Sequence, residues 1–179
     1  MRPSKDEYYM NIAQQVSQRS TCLRRRFGAV IVSKSDKIIS TGYNGAIRKA
    51  IECMKIGTCM RNELNVKHGE RYELCKAFHA EQNAILSADP HERRGATLYL
   101  YGETADGNIF NANPCMMCRR MIVQGELETV KARQSDSSIK VFSVQDFVHA
   151  EDRGENFPDE IRDSKAFQKY IKHFKKLNL

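Results

Sequence analysis

The sequence predicts an α/β fold in which helices cover both faces of one sheet. Two observations point there. Short runs rich in β-branched residues, such as Phe27-Gly28-Ala29-Val30-Ile31-Val32, alternate with segments of helical period, and polar or glycine-bearing turns separate them. At 179 residues the chain is expected to form a single domain over residues 1–179, large enough to bury a core without disulfide staples. Apolar residues make up 41% and charged ones 28%, the balance of a soluble globular protein. No apolar run approaches the roughly 20 residues that cross a bilayer. Met1-Arg2-Pro3-Ser4-Lys5 carries no hydrophobic signal core, so a cytoplasmic protein without a membrane partner is expected.

Ser4-Lys5-Asp6-Glu7 reads as a capping box, and Tyr9, Ile12, Ala13 and Val16 follow at helical spacing, which predicts a helix over about 5–19. Residues 27–32 and 37–43 read as strands joined by a polar turn into a hairpin, ended by Gly42-Tyr43-Asn44-Gly45. Residues 46–76 have no sustained period and form a cysteine-rich insertion that apolar burial alone stabilises poorly. A helix starts at His79 and stops before Pro90. Residues 96–101 read as the third strand, and Pro114 opens another helix where its missing N–H costs nothing. Residues 129–132 and 139–144 read as strands four and five. The basic segment 160–179 places Phe167, Tyr170, Ile171, Phe174 and Leu177 on one helical face and lysines on the other. Such a helix docks on a core or packs against a subunit more often than it anchors in a membrane.

The formal net charge of +7 favours anionic partners, nucleotides or nucleic acid. Arg24-Arg25-Arg26 and the lysines after 165 concentrate the excess; a solvated face is the plain alternative for each. Six cysteines in a reducing compartment suggest metal or catalytic roles rather than disulfides. Cys22, Cys53, Cys59 and Cys75 are the number that a closed structural zinc site takes; four unrelated buried thiols is the other reading.

The most informative pattern is His79-Ala80-Glu81 followed by Pro114-Cys115-Met116-Met117-Cys118. Cys115 and Cys118 are three apart and share a helix face. In a first turn they meet free N–H groups and the positive end of the helix dipole, which favour thiolates. His79 begins a different helix, so two helix starts can converge on one ion. One imidazole and two thiolates suit a catalytic zinc with a fourth position open to water, whose pKa the metal lowers toward about 7. Glu81 is the proton carrier for that water. This order of residues is an established signature of zinc nucleobase deaminases.

The resemblance is wider than the motif. Ser20-Thr21-Cys22, Gly28-Ala29-Val30-Ile31-Val32, Thr41-Gly42-Tyr43-Asn44-Gly45, Gly69-Glu70-Arg71-Tyr72-Glu73-Leu74-Cys75 and His79-Ala80-Glu81-Gln82-Asn83-Ala84-Ile85 occur in order. Over about residues 5–125 the chain resembles the deoxycytidylate (dCMP) deaminase family, including bacterial relatives linked to competence operons. Tyr43-Asn44-Gly45 and Asn83 favour this branch over tRNA adenosine deaminases and guanine deaminases. The resemblance implies a cytidine-deaminase-like three-layer α/β/α fold with a central sheet of about five strands. It implies a homo-oligomer, often a hexamer, and conversion of dCMP to dUMP with release of ammonia. His79, Cys115 and Cys118 would hold the catalytic zinc and Glu81 would move protons, while Asn44, Arg24 and Ala80 would contact the nucleotide. Cys22, Cys53, Cys59 and Cys75 would hold a second, structural zinc, with His68 able to replace one of them. The chain departs from the family at Ala46-Ile47-Arg48-Lys49, where many relatives have a proline and a further glycine. It departs again at a long loop over 102–113, with an Asp106-Gly107 turn, that borders the catalytic cysteines.

Two other readings remain at this point: a deaminase of another cytosine or purine nucleotide or base, or a nucleic-acid-binding protein on a deaminase scaffold. The intact Glu81 argues against the latter, because a binding module has no use for a proton shuttle.

Overall fold

The computed structural model describes residues 2–67, 69–157 and 159–176. Its elements, in chain order, begin with helix α1 (Lys5–Ser17) and the hairpin β1 (Arg25–Val32) and β2 (Ile38–Tyr43). Strand β3 (Gly45–Ala46), helices α2 (Cys53–Ile56) and α3 (Met60–Glu63), a 3-10 turn at Tyr72–Leu74 and strand β4 (Ala77–Phe78) follow. Then come α4 (Ala80–Ser87), β5 (Thr97–Thr104), α5 (Met116–Gln124), β6 (Thr129–Arg133), β7 (Ile139–Ser143), α6 (Val144–Asp152), α7 (Asp159–Arg162) and α8 (Lys165–Lys176). The main sheet has five strands in the order β2-β1-β5-β6-β7. Only β5 and β6 run parallel in it, and a parallel pair needs a crossover, which α5 supplies.

Strict alternation along the central strands makes the three layers. Val30, Val32, Tyr99 and Tyr101 face α1, where Tyr9, Met10 and Ala13 complete one core. Ala29, Ile31, Leu98 and Leu100 point the other way, onto Ala84 and Ile85 of α4, Ile122 of α5 and Phe147 of α6. Ile31, Leu98, Leu100 and Ile122 have no exposed surface, and each contributes about 1.5–3 kcal/mol by burial. Gly42 sets how closely α4 can approach. A Cβ there would overlap the Ala80 carbonyl oxygen and the Ala84 nitrogen, so β2 and α4 touch backbone to backbone.

Several boundaries differ from expectation for physical reasons. Ser4 caps α1 by accepting from the Glu7 N–H at 3.2 Å, but the Glu7 carboxylate instead accepts from Arg133. A guanidinium only 8% exposed takes that carboxylate away from the second half of the capping box. Strand β1 starts at Arg25, earlier than expected, because Arg26 pairs across the sheet with buried Glu103. The expected loop over 102–113 is shorter: β5 runs on to Thr104, and Glu103 bridges Ile109 around a turn with Gly107 at φ +83°. Helix α6 replaces the end of the expected fifth strand at Val144, and the sequence reading missed it along with α2 and α3.

The expected C-terminal helix is broken in two at Asp163-Ser164. The Ser164 hydroxyl accepts from the Phe167 N–H, so α8 begins with its own cap. Phe167 is buried against Phe157 and Gly154, while Tyr170 is about half exposed. Leu177 lies outside the described residues. Among the described residues no helix is long and apolar enough to cross a membrane.

Candidate active site

The starts of α4 and α5 meet at one end of a cleft of about 570 Å³. His79 is the N-cap of α4; its N–H donates to Gln82 Oε1 at 2.9 Å, which fixes the first turn. Cys115 is the N-cap of α5 and Cys118 lies in its first turn, as the Pro-Cys-x-x-Cys spacing predicts. His79 Nδ1 stands 3.5 Å from Cys115 Sγ and 3.3 Å from Cys118 Sγ. A tetrahedral zinc with ordinary Zn–N and Zn–S bonds separates such atoms by about 3.5 Å, so this donor set fits zinc without rearrangement. Among the described residues it is the one group of three or more metal-type donors within 4.8 Å of one another.

The electrostatics agree with the donor chemistry. The Cys118 thiol donates to Cys115, which is drawn down to about 4 by that hydrogen bond, while Cys118 is pushed up for the same reason. The pairing favours thiolate character at Cys115, the form in which a cysteine ligates a metal. Burial works against a charged His79, yet hydrogen bonding to Cys115 and the Glu81 charge raise its pKa overall. Glu81, 4% exposed in the first turn of α4, has its pKa raised by burial. A carboxyl group that readily holds a proton beside a metal-type donor set is suited to proton transfer.

Other residues singled out from the sequence divide. Asn44 and Ala80 line the cleft, but both halves of the Asn44 amide already serve β1. Its Oδ1 accepts from the Phe27 N–H at 2.8 Å and its Nδ2 donates to the Arg25 carbonyl at 3.0 Å. One N–H and one lone pair remain for a ligand. Arg24 lines the cleft, joined by Arg25, whose guanidinium lies over the Phe110 ring; Arg26 turns to the opposite face. Cys22, Cys53, Cys59 and Cys75 also line it, and the Cys53 thiol is pushed up by burial and then by the other three. These four are neighbours, but their sulfurs are not drawn to the spacing that His79, Cys115 and Cys118 reach. His68 lies outside the described residues.

Sequence reasoning missed Tyr72, Arg61, Arg119 and Asn156, all in the cleft wall. Tyr72 sets its ring edge-to-face against His79 at 5.3 Å, and Arg61 lies over the Tyr72 ring at 4.9 Å. Tyr72 stood inside the quoted Gly69–Cys75 motif, so its place was available; no periodicity marks the other three.

A buried carboxylate next to a His–Cys–Cys donor set, at two helix starts over an α/β sheet, defines a zinc-dependent hydrolytic centre of the deaminase type. Residues 3–133 match the cytidine and deoxycytidylate deaminase zinc-binding region, and the chain belongs to that family. It is 37% identical to the deoxycytidylate deaminase of Mycobacterium phage D29, over 72% of this chain and 94% of that protein. It is 38% identical to the deoxycytidylate deaminase of Schizosaccharomyces pombe over 69% of this chain, but spans only 35% of that longer protein. Cytidine deaminase from Burkholderia pseudomallei shares the fold, with a TM-score of 0.53 at 19% identity over 79% of this chain and 94% of that one.

Proposed function

We propose that this chain deaminates dCMP to dUMP with release of ammonia. The observation that carries the reading is the convergence of His79, Cys115 and Cys118 beside buried Glu81. Zinc held by the three donors supplies Lewis-acid activation of a water molecule. Glu81 accepts the proton that the water loses and passes it to the pyrimidine ring nitrogen as the C4–O bond forms. It then moves the remaining hydroxyl proton to the exocyclic nitrogen, so the C4–N bond breaks and ammonia leaves. Its burial raises its pKa, which suits the carboxyl to hold the proton between the two transfers.

The names of the relatives support a deoxycytidylate substrate, and the charge of the cleft supports its phosphate. Arg24 and Arg25 line one wall, where a guanidinium fork can hold a dianion. Asn44 and Ala80 are assigned to the nucleotide on the same grounds. Cys22, Cys53, Cys59 and Cys75 are assigned a structural zinc that gathers the insertion. Ile47, Ile51, Met54, Met60 and Leu64 are each more than half exposed, which supports a subunit contact over the insertion in a homo-oligomer. A cytoplasmic, single-domain protein fits these assignments. Ammonia release from dCMP, cytidine, cytosine and guanine under identical conditions tests the reading; turnover of dCMP should be highest, and none on dCMP would overturn it.

A further inference from the structure

The segment after residue 133, outside the family-matched region, reaches back to the catalytic metal donors through one arginine. Arg119 follows Cys118 directly on α5. Its Nε–H donates to the Pro114 carbonyl at 3.0 Å, the peptide that leads into Cys115. Its other partners lie beyond the family region: Nη1 donates to Asn156 Oδ1 at 3.2 Å, and the guanidinium lies over the Phe147 ring at 5.2 Å. Asn156 is held in turn, its Nδ2 donating to Glu151 Oε2 at 2.8 Å, while Glu151 Oε1 accepts from Arg120 Nε at 3.0 Å. The two arginines after Cys118 are thus tied to α6 and to the turn that follows it. Arg119 and Asn156 also line the catalytic cleft.

We infer that Asn156 is a positioning residue for the zinc ligands: through Arg119 it fixes the Pro114 peptide and so the direction of the Cys115 thiolate. An unbraced Arg119 would hold the Pro114 carbonyl less firmly and loosen the direction of the Cys115 side chain, to which zinc affinity is sensitive. Partners one step outside a metal's ligands change affinity or activity about 10- to 100-fold when removed. The inference rests on the reading of His79, Cys115 and Cys118 as a zinc site, and it is not tied to the substrate.

The test is a double-variant cycle read by zinc affinity. The zinc-loaded wild-type chain, Asn156→Ala, Arg119→Met and the double variant are titrated with a colorimetric zinc chelator. Cys118→Ser marks which part of the signal belongs to this site. Asn156→Ala should weaken zinc binding about 10-fold. The double variant should be no weaker than Arg119→Met alone, because Asn156 acts through Arg119. Wild-type affinity in Asn156→Ala, or losses that multiply, would overturn the inference. If Asn156→Ala does not melt cooperatively, Asn156→Gln retains both the oxygen that accepts from Arg119 and the N–H that donates to Glu151. Near-wild-type zinc affinity in that variant supports the inference, and a tenfold loss overturns it. A wild-type chain that holds zinc but leaves dCMP untouched would remove the substrate assignment alone, and the affinity cycle would read as before.

Discussion

Cys118 Sγ lies 3.3 Å from His79 Nδ1 although 39 residues separate them, because β5 carries the chain from the end of α4 back to the start of α5. The site is therefore a product of topology, and its donors are not interchangeable. A serine hydroxyl is a much poorer zinc ligand than a thiolate. Cys118→Ser should lose the catalytic zinc and at least about 10³-fold in turnover, a magnitude set by loss of metal activation of water. Zinc content by atomic emission checks it, with circular dichroism showing the helices retained.

Glu81→Gln separates proton transfer from metal binding. The amide keeps the shape of the side chain but cannot accept the water proton. Turnover should fall by about 10²–10⁴-fold or more, the range for a general acid–base group, while zinc content stays at the wild-type value. Parallel kinetic and metal measurements decide it; an active Gln variant would remove the proposed proton path.

Much of this was legible in the sequence, and the divide has a physical basis. The metal donors and Glu81 were readable because helix starts impose fixed spacings, and spacing survives in one dimension. Short apolar runs between turn signals located the five strands of the main sheet. The Glu7–Arg133 pair, 126 residues apart, was not readable, because only the packing of α1 over the sheet brings those groups together. Asn156 was invisible for the same reason: its partner Arg119 lies 37 residues away and shares no periodic signal with it. Helix α6 was missed because Val144 extends the apolar run of β7, and only Phe147 and Ala150 mark a helical face in the polar segment that follows.

Gly42 is where the placement of the catalytic helix is most exposed to substitution. Gly42→Ala would drive a methyl group into the Ala80 carbonyl and the Ala84 backbone nitrogen, neither of which can move without displacing α4. Overpacking of this kind costs about 1–3 kcal/mol. At this chain length that lowers the melting temperature by about 2–12 °C. Because Ala80 separates His79 from Glu81, activity should fall further than the melting temperature alone explains. Thermal melts and kinetics on one preparation test both parts.

Acid sensitivity should trace in part to Glu7. Hydrogen bonding from Arg133 holds its carboxyl below the usual value for glutamate, against the opposing effect of burial. A depressed pKa in the folded state gives a contribution that is complete above the unfolded value, near 4.3, and is lost as pH falls through the folded one. Wild-type stability should therefore decline as pH drops below about 4.3, and Glu7→Gln should flatten that part of the curve. The variant should also be less stable at pH 7, because it leaves the mostly buried Arg133 without its counter-charge. Denaturant midpoints between pH 3 and 7 measure both effects; parallel curves would refute the assignment.

The four cysteines around the insertion make the final case. Cys53 stands near Cys22, Cys59 and Cys75, and the Met54 N–H donates to the Thr21 carbonyl at 3.3 Å, which holds α2 beside Cys22. Helices of four residues cannot persist by their own hydrogen bonds, so α2 and α3 need an external tie. A zinc ion among these thiols would provide it. The wild-type chain should then carry a second zinc, which Cys53→Ser should release while the zinc at His79, Cys115 and Cys118 stays bound. That variant should also become far easier to cleave by protease within residues 46–76, and its turnover should fall less than that of Cys118→Ser. Metal counts on the two serine variants, read beside limited proteolysis, give the answer: equal zinc in Cys53→Ser and wild type would mean that these thiols bind no metal.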